Sequence, residues 1–374
     1  MSKRTPSFPK APGGSTPRAT PATKGRGAMS NIAGRFAACE VTPFDDGWGS
    51  LDLEPPALET TFTAEASRTI VTRNDSPDVP FDRSINPYKG CEHGCVYCFA
   101  RPTHAYLDLS PGLDFESRIF TKPAAASLLR EELSRRGYRC EPIAIGSNTD
   151  PYQPGERKLR ITRSVLRVLE EFRHPVSLVT KSVMVLRDLD ILSRMAADGL
   201  TRVYLSVTTL DRELARRMEP RAATPARRLQ AIARLNEEGV PCGVLASPMI
   251  PALNDHELER ILAAAADAGA SRAGYILVRL PHEVRPLFVE WLETHYPSRA
   301  RKVLSRIAEA RGGRLNDAGF GSRMSGKGVY ADLLRRRFET ACRRHGLDRE
   351  RAPRLDVSRF RVPPGARVQG TLFD

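Results

Sequence analysis

Short apolar runs alternate with amphipathic stretches along the middle of the chain. Six runs are rich in β-branched and other apolar residues, as buried strands are: the run that ends in Ile85, then 142–147, 176–182, 202–209, 242–250 and 274–280. Five stretches between these runs repeat apolar residues at three- and four-residue spacing, and most of them end in glycine, a common helix stop. The pattern predicts buried parallel strands joined by crossover helices.

The same repeat predicts the architecture. Six βα units in about 200 residues are too few for a closed barrel, which has about eight. The predicted fold class is therefore α/β, a partial (β/α)6 barrel that is open or three-quarters closed. Ligands of such folds bind at the C-terminal ends of the strands, so the residues just after each strand form the predicted site.

Composition divides the chain into four parts. Residues 1–31 are rich in Pro, Gly, Ser, Thr and Lys and are predicted to be a disordered tail, and residues 32–80 are a lead-in without a clear period. Residues 81–285 are the predicted core barrel. Residues 286–374 are a basic C-terminal extension whose amphipathic stretches predict helices.

The net charge of +14 is concentrated at the two ends of the chain. Residues 1–31 carry six Lys and Arg and no acidic residue, and residues 299–374 carry nineteen Lys and Arg against eight acidic residues. Such ends are able to contact the phosphates of a nucleic acid, although a solvated basic surface has the same composition. No run of eighteen apolar residues and no secretory signal is present, so we expect no membrane span and a cytoplasmic location.

Cysteine usage points to a metal. The chain has seven cysteines, an odd number, and three of them, Cys91, Cys95 and Cys98, lie within eight residues. Clustered cysteines in an intracellular chain are typical of metal binding rather than of a disulfide framework. The spacing is C-x₃-C-x₂-C, and three thiolates on one short loop are able to bind three corners of an iron–sulfur cubane. The fourth iron then lacks a local ligand and is free to bind a small molecule.

Other ligand sets remain open from the residues alone. Zinc bound by three cysteines and one histidine is chemically allowed, because His93 and His104 lie nearby. A fourth cysteine, Cys140 or Cys242, would instead complete a cluster for electron transfer. A purely structural role for the three cysteines is the remaining interpretation.

The cysteine motif resembles that of the radical S-adenosylmethionine (SAM) superfamily. An aromatic residue, Tyr97, precedes the last cysteine, and the motif follows the first strand of a βα repeat. Further motifs resemble the spore photoproduct lyase-like branch, often labelled DNA repair photolyases: residues 86–88 (NPY), 146–153 (GSNTDPYQ), 180–182 (TKS) and 219–221 (EPR). The resemblance covers roughly residues 60–345.

The resemblance implies a cofactor chemistry. A [4Fe–4S] cluster on the three cysteines would leave one iron for the amino and carboxylate groups of S-adenosylmethionine. One electron, delivered by a reductant protein such as flavodoxin or ferredoxin, would then split the sulfonium bond and release a 5′-deoxyadenosyl radical. That radical would take a hydrogen atom from a substrate, which the resemblance leaves unassigned and for which nucleic acid is the candidate.

The resemblance also implies six cofactor-binding positions: Tyr97, Thr149, Asp150, Lys181, Ser206 and Arg221. The tyrosine corresponds to an aromatic near the adenine. The threonine and aspartate correspond to contacts with the methionine or ribose part, the lysine to a group near the cofactor carboxylate, and the serine to a further cofactor contact. The arginine is a candidate anion binder. Without the resemblance, a turn cap or a solvated surface residue explains most of these positions equally well.

Two departures from the branch limit the reaction. Ser147 stands where spore photoproduct lyases carry a cysteine that returns a hydrogen atom to the product, and a serine O–H bond is too strong to replace a thiol. Phe99 stands where those lyases carry a relay tyrosine, and Cys140 is predicted to lie at the opposite end of the strand. The resemblance therefore implies a radical SAM enzyme whose substrate and reaction are unassigned. The alternatives are photoproduct reversal itself and a non-enzymatic iron–sulfur or zinc module that binds nucleic acid.

Overall fold

Six parallel strands form the centre of the fold, in the order in which the chain makes them. The computed structural model describes residues 25–37, 58–347 and 354–365. Its strands are β1 (Thr61–Ala64), β2 (Val71–Arg73), β3 (Arg83–Ile85), β4 (Tyr88–Lys89), β5 (Arg118–Thr121), β6 (Ile143–Ile145), β7 (Val176–Thr180), β8 (Thr201–Ser206), β9 (Cys242–Met249) and β10 (Arg272–Leu277).

The described helices include the five that the sequence predicts as crossovers. They are α1 (Asp114–Ser117), α2 (Ala125–Ser134), α3 (Glu156–Leu159), α4 (Ile161–Glu171), α5 (Leu189–Ala197), α6 (Arg212–Met218), α7 (Pro225–Glu237), α8 (Leu258–Asp267), α9 (Val284–His295), α10 (Pro297–Glu309) and α11 (Gly328–His345). Short 3₁₀ helices span Arg101–Leu107, Val183–Asp188 and Asp255–Glu257.

The main sheet has the order β10-β9-β8-β7-β6-β3-β2. Neighbours from β3 to β10 are parallel, and β2 pairs antiparallel with β3 at the edge. Ile145 pairs with Leu178, and Leu178 in turn pairs with Val203, so the carboxyl ends of successive strands come to one edge of the sheet. Among the described residues β10 does not pair with β2, and the predicted open, partial barrel is therefore confirmed.

Apolar residues along the strands and on the helices that pack against them explain why these strands are buried. Ile145, Leu178, Val203 and Val244 are fully buried in one core that also takes the apolar faces of α2, α4, α5, α7 and α8. A second apolar cluster joins residues 95–97 of the cysteine loop to α6, α9 and α10. The helices after residue 284 thus help to position the cysteine loop.

A smaller sheet, β1-β5-β4, was not predicted. Its strands carry little signal, because β1 is exposed at all four positions and β4 has only two residues. The position of this sheet matters nevertheless, since β4 leads directly into the cysteine loop.

The N-terminal prediction needs a correction where the structure describes it. Residues 25–31 belong to the predicted disordered tail, yet residues 26–29 are buried. Gly27 and Ala28 are small enough for close backbone packing, which composition alone does not reveal. The rest of the predicted tail lies outside the described residues, as do 38–57 of the lead-in and 348–353 and 366–374 of the C-terminal extension.

The described part of the C-terminal extension contains α10 and α11, and α11 packs against α8. α11 ends at His345 and is followed by Gly346, whose left-handed φ of 67° gives a typical helix C-cap. Within the described residues, no helix combines the length and the apolar character that a membrane crossing requires.

Candidate metal centre

The three predicted cysteine ligands lie on one buried loop that follows β4. Cys91 and Cys95 are 7% exposed, and Cys98 is partly buried. Two glycines with left-handed φ, Gly90 (81°) and Gly94 (66°), turn the chain before and between these cysteines. A side chain at Gly90 would also meet the Ile119 side chain at 2.9 Å, so this turn requires glycine for both conformation and space.

Burial keeps the thiols of Cys91 and Cys95 protonated when no metal is bound. It raises the pKa of Cys95 to about 12 and the pKa of Cys91 well above its usual value, and the nearby Asp150 carboxylate raises the latter further. Metal binding displaces such protons, because the thiolate is the ligand. We therefore expect these thiols to become negatively charged thiolates only when a positively charged metal centre binds to them.

The donor set fits a [4Fe–4S] cluster with one iron lacking a protein thiolate. Among the described cysteines none joins these three at the carboxyl edge: Cys140 precedes β6, Cys242 begins β9 at the opposite edge, and Cys342 lies in α11. Within the described residues no three His, Cys, Asp or Glu side chains converge closely enough to hold a single metal ion. A cubane binds each cysteine at a separate corner and does not need that convergence.

A fully buried ion pair supports the cysteine loop from behind. Arg101 pairs with Glu116, and both side chains have no exposed area. The Arg101 Nε donates to the Cys95 carbonyl at 2.9 Å, and its Nη2 donates to the Gly94 carbonyl at 3.1 Å. Its Nη1 donates to the carbonyls of residues 111 and 112. One guanidinium thus fixes the backbone around the second cysteine with every donor used.

The residues after β6 hold the front of the same loop. Gln153 is fully buried; its Oε1 accepts from the Glu92 backbone N–H at 2.9 Å, and its Nε2 donates to the Gly90 carbonyl at 3.3 Å. The Thr149 hydroxyl donates to the Tyr88 carbonyl at 2.8 Å. Thr149, a predicted cofactor contact, therefore also fixes the strand that leads into the loop.

Asp150 connects three elements at the carboxyl edge. Its Oδ1 accepts from the Thr180 hydroxyl at 2.7 Å, and its Oδ2 accepts from the Lys181 backbone N–H at 2.8 Å and lies 3.2 Å from Nδ1 of His93. Burial opposes ionisation, but His93 and these hydrogen bonds outweigh it and lower the pKa of Asp150 to about 2. The ionised carboxylate therefore ties β6 and β7 to the cysteine loop.

A second buried carboxylate, Glu219, organises the other side of the site. It accepts hydrogen bonds from the Tyr97 hydroxyl and, at 2.6 Å, from the Thr208 hydroxyl, and it pairs with Arg228. The Arg228 Nη1 also donates to the Ser206 carbonyl at 2.9 Å. Burial acts against the charge, yet Arg228 and the nearby ammonium of residue 181 lower the pKa of Glu219 to about 2. Thr208 lies among the residues just after β8, which belong to the predicted site, whereas Arg228 on α7 was not predicted.

Lys181 brings a cation to the cysteine loop without a direct carboxylate partner. Its Nζ lies 5.8 Å from the centroid of the Tyr97 ring, and no described carboxylate is within 4.0 Å of it. Burial acts to lower the pKa of Lys181, but Cys95 and Glu219 outweigh it and raise the pKa. Among the predicted positions, Lys181 is therefore the side chain with a charge still free to bind an anion.

Two other predicted positions, Ser206 and Arg221, already have hydrogen-bond or ionic partners in the structure. Ser206 ends β8 and is buried, with its carbonyl bound by Arg228. Arg221 has two partners in the structure, because its guanidinium lies 3.3 Å from the Glu92 carboxylate and 3.2 Å from the Thr60 hydroxyl. The motif that contains this arginine did not reveal these partners, because both lie far from it in the sequence.

The two positions that depart from the lyase pattern also lie at this edge. Ser147 follows β6, and its Oγ is 3.5 Å from the Asn86 amide nitrogen. Phe99 follows the last cysteine, is 43% exposed, and has the Arg279 guanidinium 4.7 Å from its ring centroid.

Comparison with known proteins finds solved structures with the same fold as this chain and identifies its family. A solved spore photoproduct lyase complexed with dinucleoside spore photoproduct has a TM-score of 0.54 at 18% identity, covering 76% of this chain and 79% of that chain. A mutant of that lyase with bound AdoMet and the same dinucleoside has a TM-score of 0.52 at 16% identity, covering 76% and 78%. These likenesses establish the fold.

Relatives in sequence carry no assigned activity in their names. An uncharacterised protein of Mycobacterium tuberculosis is 33% identical over 299 residues, which are 79% of this chain and 83% of that protein. An uncharacterised protein of Methanocaldococcus jannaschii is 28% identical over 173 residues, 46% of this chain and 62% of that protein. Residues 85–265 match the profile of the radical SAM superfamily. This segment contains the cysteine loop and the carboxyl ends of five of the six parallel strands. The chain belongs to the radical SAM superfamily and has the fold of spore photoproduct lyase.

Proposed function

We propose that the chain binds a [4Fe–4S] cluster through Cys91, Cys95 and Cys98 and reductively cleaves S-adenosylmethionine. The observation that carries the proposal is a buried loop with three cysteines and no fourth described cysteine at the same edge. When bound and reduced, such a cluster supplies the electron that splits S-adenosylmethionine into methionine and a 5′-deoxyadenosyl radical. A small reductant protein such as a flavodoxin or ferredoxin is the proposed electron source.

Lys181 is the proposed partner of the cofactor carboxylate. Its ammonium lies beside the Tyr97 ring and lacks a described carboxylate within 4.0 Å. A carboxylate from the methionine part would supply that partner inside a partly water-excluded site, where a charge pair is stronger than in water. Tyr97 keeps its hydroxyl on Glu219, so the ring is held in place.

Anaerobic reconstitution with iron and sulfide tests the cluster and the cleavage separately. We expect about four irons and four sulfides per chain, an absorbance band that bleaches with dithionite, and 5′-deoxyadenosine from S-adenosylmethionine. Cys98→Ser is the loss variant, and Cys140→Ser is the matched control because Cys140 precedes β6 at the opposite edge. A wild-type protein with a full cluster that forms no 5′-deoxyadenosine under reductant contradicts the proposal, and so does one zinc per chain without sulfide.

Nucleic acid is the proposed substrate class. Next to the cysteine loop lies a surface that we name the arginine–phenylalanine ledge: Phe99, Arg279, Phe320 and Arg323. Phe320 is 60% exposed, and the Arg323 guanidinium lies 4.6 Å from its ring centroid. Exposed aromatic faces next to arginines are typical of surfaces on which unpaired bases stack.

The charge of the ledge supports a phosphate ligand. Arg323 pairs with Asp78, whereas Arg279 has no described carboxylate within 4.0 Å; its Nη1 is 3.7 Å from the Met324 sulfur. Burial lowers the pKa of Arg279, and the charge of Arg323 lowers it further. A phosphate would relieve this excess of positive charge. The lyase of similar fold was solved with a dinucleoside photoproduct, and the basic ends of this chain agree with a polyanionic partner.

Fluorescence anisotropy with labelled single-stranded DNA and RNA tests the substrate class. We expect Arg279→Ala to weaken binding by about tenfold, the effect of losing roughly one stacking or charge contact, without changing uncoupled S-adenosylmethionine cleavage. Arg335→Ala is the control, because this exposed arginine of α11 pairs with its helix neighbour Asp332. No binding of either strand by the wild type would exclude nucleic acid. Photoproduct reversal is a separate outcome, which Ser147 and Phe99 disfavour and a dinucleotide photoproduct assay decides.

A further inference from the structure

The buried carboxylate behind the cysteine loop takes much of its support from the start of the described chain. Besides Arg101, Glu116 accepts hydrogen bonds from the backbone N–H of Gly27 at 2.9 Å and of Ala28 at 2.8 Å. The Arg26 Nη1 donates to the Glu116 backbone carbonyl at 2.7 Å. Residues 26–29, which we name the N-terminal strap, therefore bind both the side chain and the backbone of this glutamate.

The strap also touches the cysteine loop directly. A Cβ placed on Gly27 would lie 1.8 Å from the Gly94 carbonyl oxygen and 3.4 Å from the Val96 nitrogen. Gly94 lies between the first two cysteines of the motif. No side chain fits at residue 27 unless the peptide between Cys91 and Cys95 moves, because 1.8 Å is far below any van der Waals contact.

Contacts on both sides keep the strap in this position. The Arg26 Nη2 donates to the Leu58 carbonyl at 2.7 Å, near the start of the small sheet. Just beyond the strap, the Ser30 hydroxyl donates to the Glu290 carboxylate on α9 at 2.6 Å. The strap thus spans the back of the loop from the small sheet to the C-terminal helices.

We propose that the N-terminal strap is a positioning element of the cluster site. It fixes the Gly94 peptide by contact, and it fixes the Cys95 carbonyl through Glu116 and then Arg101. The inference rests on the proposed cluster. Without the strap, two oxygen atoms of a buried carboxylate lose their backbone donors, and the back of the cysteine loop opens to water and oxygen. The strap acts through this backbone and not as a ligand of the cluster.

Gly27→Ala and Arg26→Met test the inference in full-length protein, with Asn31→Ala as the control. Asn31 follows the strap and makes two exposed hydrogen bonds with Asp114, one as donor and one as acceptor. We expect Gly27→Ala to weaken cluster retention by about 10- to 100-fold, the usual effect of losing an outer contact of a metal site. Arg26→Met should have a smaller effect, because the backbone bonds to Glu116 remain.

Three measurements separate positioning from general folding: iron and sulfide per chain, the rate of bleaching in air, and the midpoint potential and EPR spectrum of any cluster that remains. We expect Gly27→Ala to change all three while far-UV circular dichroism of the metal-free protein stays as in the wild type. If Gly27→Ala does not fold, faster bleaching and an altered EPR spectrum in Arg26→Met carry the inference.

Wild-type retention, potential and EPR spectrum in the folded strap variants would overturn the inference while leaving the proposed function intact. The inference is equally overturned if Gly27→Ala fails to fold and Arg26→Met matches the wild type. A wild-type protein that binds no cluster refutes the proposed function instead, so the two failures are distinguishable. A chain begun at Met29 lacks the Gly27 and Ala28 donors, and we expect it to behave like Gly27→Ala or worse.

Discussion

Glu219→Gln removes the charge of a carboxylate that is fully buried beside the cysteine loop. The substitution keeps the size of the side chain but leaves Arg228, which is 1% exposed, without its ionic partner. The Tyr97 and Thr208 hydroxyls donate to one carboxylate oxygen and Arg228 donates to the other, so the amide NH2 of glutamine would face one of these donors. We expect the variant to be strongly destabilised although no volume is lost from the core.

Two independent estimates give a similar loss in the free energy of unfolding for Glu219→Gln. Breaking a buried ion pair by removal of one partner typically costs about 3–5 kcal/mol. The second route uses the pKa of Glu219, which falls from 4.5 to about 2 on folding. At about 1.4 kcal/mol per pKa unit, that difference corresponds to roughly 3 kcal/mol of stability at neutral pH. Because the folded pKa is the lower one, this stability is present above pH 4.5 and is lost as the pH falls toward 2.

Urea unfolding of the anaerobically purified protein at pH 7 measures the effect. Glu213→Gln is the matched control, because Glu213 is a 60% exposed glutamate of the nearby helix α6 that pairs with Arg217. We expect about 3 kcal/mol lost for Glu219→Gln and less than about 1 kcal/mol for the surface pair. A loss below about 1 kcal/mol for Glu219→Gln, or an equal loss in both variants, would refute the reasoning.

Three further predictions address the same edge of the sheet. Lys181→Met should raise the KM for S-adenosylmethionine by about tenfold or more with an intact cluster, since one charge-assisted bond of about 1.5–3 kcal/mol is lost; steady-state 5′-deoxyadenosine formation measures it. Gln153→Leu should reduce iron content, measured per chain, because the Glu92 N–H and the Gly90 carbonyl lose their partner; unchanged iron would contradict this role of the glutamine. Asp150→Asn should lower the free energy of unfolding strongly at pH 7 but only mildly near pH 2, because the pKa of this carboxyl is held at about 2. Unfolding measured across this pH range in both proteins tests the sign.

The parallel strands and crossover helices were predictable because their signal is local. Val176–Thr180 and Cys242–Met249 are apolar runs within the predicted strands, and their neighbours in the chain are also their neighbours in the sheet. The three clustered cysteines were equally visible, since all lie on one loop. A motif of this kind needs no knowledge of distant contacts.

The supports of the loop were not predictable for the opposite reason. Glu116 lies in a four-residue helix, and nothing near it in sequence indicates that its partners are Gly27, Ala28 and Arg101. Arg228 lies on a helix with other arginines, and only the folded chain distinguishes the buried one. Partners such as these become visible only when close packing brings distant segments together.

The dispersed support of the cysteine loop has a consequence for how the protein is made. Tyr97 binds Glu219, which is 122 residues later in the chain, and Gly27 binds Glu116 across 89 residues. At a synthesis rate of about 5–20 residues per second, the interval between the cysteines and Glu219 is on the order of ten seconds. During that time the thiols emerge from the ribosome on an unsupported segment. Metal delivery is therefore best suited to the completed chain, after the sheet and the loops at its carboxyl edge have formed.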